Sequence, residues 1–344
     1  MARTSSGRAH QHSRPAQSEN QDLATSVSRF LVTGCAGFIG SHLTDALLSR
    51  GDDVVGVDAF TDYYARDTKE SNLERALSGG LSLVEVDVSR DDLRRILDDV
   101  DGVFHLAAQP GVRGSWGNAF AHYVRDNIMA SQRLFEVAAP NRLRVVMASS
   151  SSVYGNAPTY PTREDASLRP VSPYGVTKEA CESLARTYVE CFGLQIVLLR
   201  YFSVYGPRQR PDMAFARIIS ALLEGDPFVV YGTGEQSRDF TYIDDVVAAT
   251  LAAMDGGPTA MVYNVGGGSE ASLNETIAMC ERLAGERLKV INEGAAPGDL
   301  GRTGADTTLI RAELGWTPRT SLPEGLAAQL AAASYNSTLL GKRL

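Results

Sequence analysis

Thr33-Gly34-Cys35-Ala36-Gly37-Phe38-Ile39-Gly40 decides how this chain folds. It follows the apolar run 29–33 and opens an amphipathic stretch, 38–50, so it reads as a strand, a glycine turn and the start of a helix. Glycines serve there for the tight turn, for close approach of backbone to a pyrophosphate, and for packing helix against strand. The helix N-terminus then faces the phosphates. The spacing is GxxGxxG rather than GxGxxG, and its strand–turn–helix setting makes it a dinucleotide-binding signal. Asp58 ends the next apolar run, 18 residues after Gly40. A carboxylate there accepts hydrogen bonds from both ribose hydroxyls and repels a 2′-phosphate, so NAD is expected over NADP; no adjacent arginine offsets it. Asp87, at another strand end, either caps the chain locally or contacts the adenine.

Outward from this motif, short Val/Ile/Leu-rich runs at 29–33, 53–58, 81–86, 102–105, 144–148 and 195–201 read as buried strands. Between them, 38–50, 91–97, 120–139 and 174–192 read as helices. Strand–helix alternation of this kind predicts an α/β fold, a doubly wound parallel sheet covered on both faces. Past residue 200 turn-rich pieces alternate with helices near 213–224, 243–254 and 272–283. The expected organisation is a dinucleotide domain over 27–200, which segments near 235–268 rejoin, and a smaller interwoven lobe over 201–234 and 269–340. The polar stretch 1–26 has no apolar core for a secretory signal and reads as a disordered tail.

The 344 residues are 44% hydrophobic and 22% charged, which suits a globular core. A formal charge of −8 offers no basic field for nucleic acid or an anionic membrane. No apolar run reaches the ~20 residues of a membrane span. Cys35, Cys181, Cys191 and Cys280 lack CxxC spacing, so neither zinc nor a disulfide framework is expected; reduced thiols in a cytoplasmic protein are.

Tyr174-Gly175-Val176-Thr177-Lys178 puts a phenol and an ammonium four residues apart on one helical face. A neighbouring cation favours the phenolate, so such a tyrosine can take a proton from a hydroxyl. Upstream, Ala148-Ser149-Ser150-Ser151-Ser152-Val153-Tyr154-Gly155 follows a strand and would project hydroxyls at the sheet's carboxyl edge, where ligands bind in such folds.

GxxGxxG, the run His105-Leu106-Ala107-Ala108, SSSSVYG, YxxxK and Arg238-Asp239-Phe240-Thr241-Tyr242-Ile243-Asp244-Asp245 stand in an order that resembles the nucleotide-sugar epimerases, dehydratases and decarboxylases of the extended short-chain dehydrogenase/reductase type. Together these motifs span about residues 29–330. The resemblance implies a Rossmann domain with a smaller C-terminal substrate lobe, NAD as cofactor, a UDP- or dTDP-linked sugar as substrate, and a homodimer built on the helices near 120–139 and 174–192. It assigns Tyr174 as the base at the sugar 4-hydroxyl, Ser150 as a hydrogen-bond partner of the same oxygen with Ser151 beside it, and Lys178 as the residue tuning the tyrosine. Gly34, Gly37, Phe38, Ile39, Gly40, Asp58, Asp87, Val88, Leu106, Ala107, Ala108, Gln109 and Tyr201 are expected against the cofactor along with Tyr174 and Lys178. On the substrate side it implies Ser152, Asn127 and Ser203 around the sugar, Arg238 on the diphosphate, Asp299 on the nucleotide ribose and Tyr231 against the base.

The segment Phe202-Ser203-Val204-Tyr205-Gly206-Pro207-Arg208-Gln209-Arg210-Pro211-Asp212-Met213 resembles UDP-glucuronate 4-epimerases most, as does Asp62-Tyr63-Tyr64. In that family the arginine before Pro-Asp-Met grips the sugar carboxylate, a task that suits a planar guanidinium. Ser203 departs from the usual threonine. Dehydratases carry Asp-Glu where this chain has Ser151-Ser152. Related decarboxylases carry Glu at Ser152 and Arg-Ser-Phe at 238–240. These differences favour 4-epimerisation through a 4-keto sugar. Decarboxylation of UDP-glucuronate toward UDP-xylose and 4-epimerisation of a neutral UDP- or dTDP-hexose stay open. A regulatory dinucleotide-binding protein of the same fold would be expected to lack the Tyr/Lys pair.

Overall fold

The computed structural model describes residues 27–256, 261–295 and 297–339. The tail expected over 1–26 lies outside the described residues. The strands are β1 (Arg29–Thr33), β2 (Asp53–Asp58), β3 (Ser82–Glu85), β4 (Gly102–His105), β5 (Arg144–Ser150), β6 (Gln195–Tyr201), β7 (Val204–Tyr205), β8 (Pro227–Tyr231), β9 (Ser237–Tyr242), β10 (Val262–Val265), β11 (Ser269–Ser272) and β12 (Lys289–Glu293). The main sheet runs β10-β6-β5-β4-β1-β2-β3, with every adjacent pair parallel. Strand order reverses between β1 and β4. Loops leaving their carboxyl ends part there and open the crevice in which doubly wound folds bind ligands.

Helices cover both faces. The sequence supplies α1 (Phe38–Arg50), α2 (Arg66–Ser78), α3 (Arg94–Leu97), α4 (Phe120–Tyr123), a π-helical turn (Val124–Met129), α5 (Ala130–Ala138), α6 (Pro173–Phe192), α7 (Ala214–Glu224), α8 (Ile243–Asp255), α9 (Leu273–Ala284), α10 (Thr308–Leu314) and α11 (Leu322–Leu339). Side chains alternate across each strand. Val32, Phe104 and Val146 join Leu43, Leu73 and Val246 on the α1/α2/α8 face. Leu31, Val103 and Val145 join Leu134, Phe135 and Cys181 on the α5/α6 face. Burying each such large side chain stabilises the fold by about 1.5–3 kcal/mol. A separate cluster of Phe215, Ile218, Phe228, Val230, Ile277 and Leu326 underlies β8, α7, α9 and α11. Within 235–268, α8 packs on the main core and β10 pairs with β6, while β9 pairs with β7 and β11.

Three differences from the sequence expectations have local causes. Helix α2 has no counterpart among the expected helices. Its residues are mostly charged or polar, and its buried face is only Lys69, Asn72, Leu73 and Ala76. The helix expected over 91–97 shrinks to Arg94–Leu97, because Asp91 accepts from the Asp87 amide and Asp92 from the Arg94 amide. The helix expected over 120–139 is continuous through a π turn at Val124–Met129, a feature that periodicity does not reveal.

Candidate active site

Gly34 has φ +72°, and a Cβ there would lie 2.8 Å from the Ala107 nitrogen. A Cβ on Gly40 would lie 2.1 Å from the Gly34 oxygen, so α1 can approach β1 this closely only without a side chain. Gly37 caps α1 without a side-chain hydrogen bond, which leaves the first-turn amides for a ligand. Above them is a cavity of about 420 Å³. Gly34, Gly37, Phe38, Ile39, Gly40, Asp58, Asp87, Val88, Leu106, Ala107, Ala108, Gln109, Tyr174, Lys178 and Tyr201 all border it. A floor that a Cβ would fill and a carboxylate at the end of β2 fit a dinucleotide.

The ends of β1 and β4 are locked by a buried polar chain. Thr33 Oγ1 accepts from the Leu106 and Ala107 amides, both at 3.1 Å, so its own proton goes to His105 Nδ1 at 2.8 Å. His105 Nε2 then donates to Ser131 Oγ at 3.1 Å, and Ser131 donates to the Asn127 carbonyl. Burial, with a smaller contribution from the Lys178 charge, pushes His105 down to about 3, which keeps the imidazole neutral.

Tyr174 and Lys178 stand on the first turns of α6. That helix starts cleanly: Ser172 accepts from the Gly175 amide at 3.1 Å and Pro173 takes the first position. Lys178 Nζ donates to the Ala148 carbonyl at 3.0 Å, which fixes it at the end of β5. One turn on, Glu182 receives two hydrogen bonds from the Arg200 guanidinium and one from Ser149 Oγ, all buried. Helix and strand end are thus pinned at two points. Ser150, Ser151 and Ser152 border the same cavity as Tyr174, with Ser150 Oγ donating to Ser152 Oγ at 3.1 Å and accepting from the Ser152 amide. The Tyr174 ring packs edge-on against Tyr123 at 6.2 Å.

Ser203 and Arg210 also border this cavity. Arg210 is no solvated loop arginine: its side chain is 17% exposed, Nε and Nη2 donate to Asp212, and its guanidinium lies 5.8 Å from the Tyr63 ring. Burial opposes its charge, yet Asp212 holds its affinity for the proton above the ordinary arginine value. Tyr63 donates to the same Asp212 at 3.1 Å, so the two segments singled out for uronate chemistry meet. The arginine loop is tied to α1 by His42 Nε2, which donates to the Pro207 carbonyl, and by the Arg208–Asp45 pair at 2.8 Å.

Four expected substrate residues stand elsewhere. Asn127, in the π turn, is buried and spends its amide on protein: it accepts from the Gln109 nitrogen and donates to the Gln109 carbonyl and Thr177 Oγ1. It therefore braces the Gln109 loop and is not part of the cavity wall. Tyr231, Arg238 and Asp299 gather beyond the wall around a residue that sequence reasoning missed, Arg113. Its guanidinium lies 4.3 Å from the Tyr231 ring and donates to Asp299 at 2.9 Å. Burial pushes Arg238 below its ordinary value, against the pull of Asp299. A cation four residues past Gln109, in a Pro-Gly loop at the sheet's carboxyl edge, was the available signal for Arg113. Lys69, also on the cavity wall and 3.9 Å from Asp58, had none, because its helix was not foreseen.

A doubly wound sheet with a glycine-floored cleft and a Ser/Tyr/Lys cluster over it defines a dinucleotide-dependent enzyme. The sequence matches the NAD dependent epimerase/dehydratase family over residues 30–266, and the chain belongs to that family. Among curated relatives, a Bacillus subtilis (strain 168) protein described as an uncharacterized UDP-glucose epimerase, YtcB, is 42% identical over 88% of this chain and 97% of its own. The UDP-glucuronate 4-epimerase of Thermodesulfobacterium geofontis (strain OPF15) is 38% identical over 86% of this chain and 93% of its own. Among solved structures, the UDP-glucuronic acid 4-epimerase from Bacillus cereus in complex with UDP-glucuronic acid and NAD superposes with a TM-score of 0.86. It is 41% identical, covering 90% of this chain and 99% of that one.

Proposed function

We propose that this protein is an NAD-dependent 4-epimerase of UDP-glucuronate, working through a transient 4-keto sugar. The observation that carries the reading is the shared cavity wall: Tyr174, Lys178 and the serines at one part, the Arg210 guanidinium at another. An uncharged serine pair, rather than Asp-Glu, faces the sugar. That favours turning the ketone over rather than eliminating water. The Thermodesulfobacterium geofontis and Bacillus cereus relatives named above are UDP-glucuronate 4-epimerases, which supports the same reaction.

The glycine floor and the Asp58 carboxylate would hold NAD, which when bound would supply the acceptor and donor of hydride at C4. Tyr174 takes the 4-hydroxyl proton and returns it, and Lys178, one helical turn further along α6 and anchored on the Ala148 carbonyl, borders the same cavity. Ser150 and Ser151 hold the C4 oxygen, and Ser152 and Ser203 flank the sugar. Arg210 presents a planar fork to the C6 carboxylate and shares it with Asp212. Arg238 and Arg113 receive the diphosphate, Asp299 the nucleotide ribose, and Tyr231 the base. In this reading the dinucleotide domain is 27–200 with later segments near 235–268, and the substrate lobe is 201–234 with 269–340.

Two coarser properties extend the proposal. Among the described residues no helix is long and apolar enough to cross a membrane. The four cysteines are free thiols, the state that the cytoplasm maintains. Exposed Phe120, Met129 and Val176 on the helices near 120–139 and 174–192 support a homodimer through that face.

The test is direct. Purified protein is incubated with UDP-glucuronate and the product examined by mass spectrometry and NMR. Unchanged mass with inverted C4 is expected. Loss of CO2 would move the reading to decarboxylation, and no reaction would move it to a neutral hexose.

A further inference from the structure

Helix α2 carries a charge that the mechanism above does not use. The Lys69 side chain is 6% exposed and lies 3.9 Å from Asp58 Oδ1, whose own side chain is 11% exposed. Its ammonium donates to the Thr61 carbonyl at 2.8 Å, lies 3.3 Å from Thr61 Oγ1, and sits 5.0 Å from the centre of the Tyr64 ring. Asp58 is equally fixed, accepting from the Ala36 amide at 3.2 Å and the Phe60 amide at 2.8 Å. Both residues border the cavity. Burial is the first cause acting on each, lowering Lys69 and raising Asp58, and each partner's charge opposes that shift. The neighbouring charges do not displace the pair: Arg66 is taken up by Glu70 and Glu85 and lies over the Phe60 ring. Glu85 adds to the negative field at Asp58, and Asp62 supports the Lys69 charge.

The ribose end of the cavity is therefore not a lone anion. It is a carboxylate with an immobilised ammonium at its side. A lone carboxylate there holds two hydroxyls and repels a 2′-phosphate. An ammonium in the same wall attracts that phosphate, and so little exposed it is weakly screened by salt. We propose that Lys69 is a specificity-determining residue for the dinucleotide, leaving the site a single charge away from accepting NADP, with Asp58 as the barrier. This rests on the reading of Asp58 as the ribose partner.

The full-length chain is freed of dinucleotide, offered an equimolar mixture of NAD and NADP, washed, and its retained nucleotides quantified by chromatography. Asp58→Asn is expected to raise the retained NADP:NAD ratio at least about tenfold, the scale of one charge interaction near a protein surface. Adding Lys69→Met should return the ratio to within about threefold of wild type, whereas adding Lys69→Arg should keep it high. Matching circular dichroism and thermal midpoints across the variants exclude misfolding as the cause. A ratio unmoved by Asp58→Asn, or equal with and without Lys69→Met, overturns the proposal. A wild-type chain that retains neither dinucleotide overturns the ribose reading as well.

Discussion

Tyr174 and Arg210 border one cavity, and the separate duties proposed for them should be divided by single substitutions. If Tyr174 is the proposed base, Tyr174→Phe removes only proton transfer, so kcat should fall roughly 10²- to 10⁴-fold while NAD stays bound. Retained turnover in that variant excludes the tyrosine as base. In the proposed reading Arg210→Ala removes a hydrogen-bonding partner of the sugar carboxylate. The KM for UDP-glucuronate should rise about 10- to 100-fold, against a change within about threefold for UDP-glucose. Equal effects on the two substrates would remove the case for a uronate. His105 supplies a prediction for stability. Burial depresses it from 6.5 to about 3, so on acidification the unfolded chain takes up the proton first. Its contribution is complete above pH 6.5 and drains away as pH falls toward about 3. Urea midpoints measured at pH 7 and pH 5 should drop more in wild type than in His105→Asn, and an equal drop would discount the histidine.

Among the elements, α6 carries Tyr174 and Lys178, and its tolerance is small. A Cβ on Gly175 would meet the Ser152 oxygen at 2.7 Å and Pro170 Cβ at 2.9 Å. Gly175→Ala must therefore push the helix start away from the serine turn. We expect a loss of about 1–3 kcal/mol in stability, and a fall in kcat larger than any rise in KM. Unchanged thermal midpoint and kcat would show that the contact relaxes freely. Helix α2 and the π turn show where reading by element fails. The GxxGxxG turn, β1, β2 and α1 were legible because apolar runs and glycines there answer purely local demands. Helix α2 was invisible because its buried face is short and half polar. The bonding of Asn127 was not legible, because a π turn directs its amide to Gln109 and Thr177.

For the whole molecule, Trp116, Phe120, Val171 and Val176 line one shallow groove and leave large apolar side chains in solvent. If a second copy covers it, Val176→Glu together with Phe120→Arg should convert a dimer to a monomer in sedimentation velocity. A wild-type chain that sediments as a monomer counts against the homodimer. At this scale the division between sequence and structure is clear. The sequence by itself determined the doubly wound fold, the dinucleotide cleft and the Ser/Tyr/Lys cluster, because glycine turns, strand periodicity and i,i+4 spacing act over a few residues. Only the tertiary structure decided that Tyr63 and Arg210 share Asp212 across 149 and 2 residues of chain, that Arg113 sits on Tyr231 and Asp299, and that Lys69 stands beside Asp58. Those pairings depend on how separate loops converge over the sheet's carboxyl edge, and no local pattern of residues encodes a distance between them.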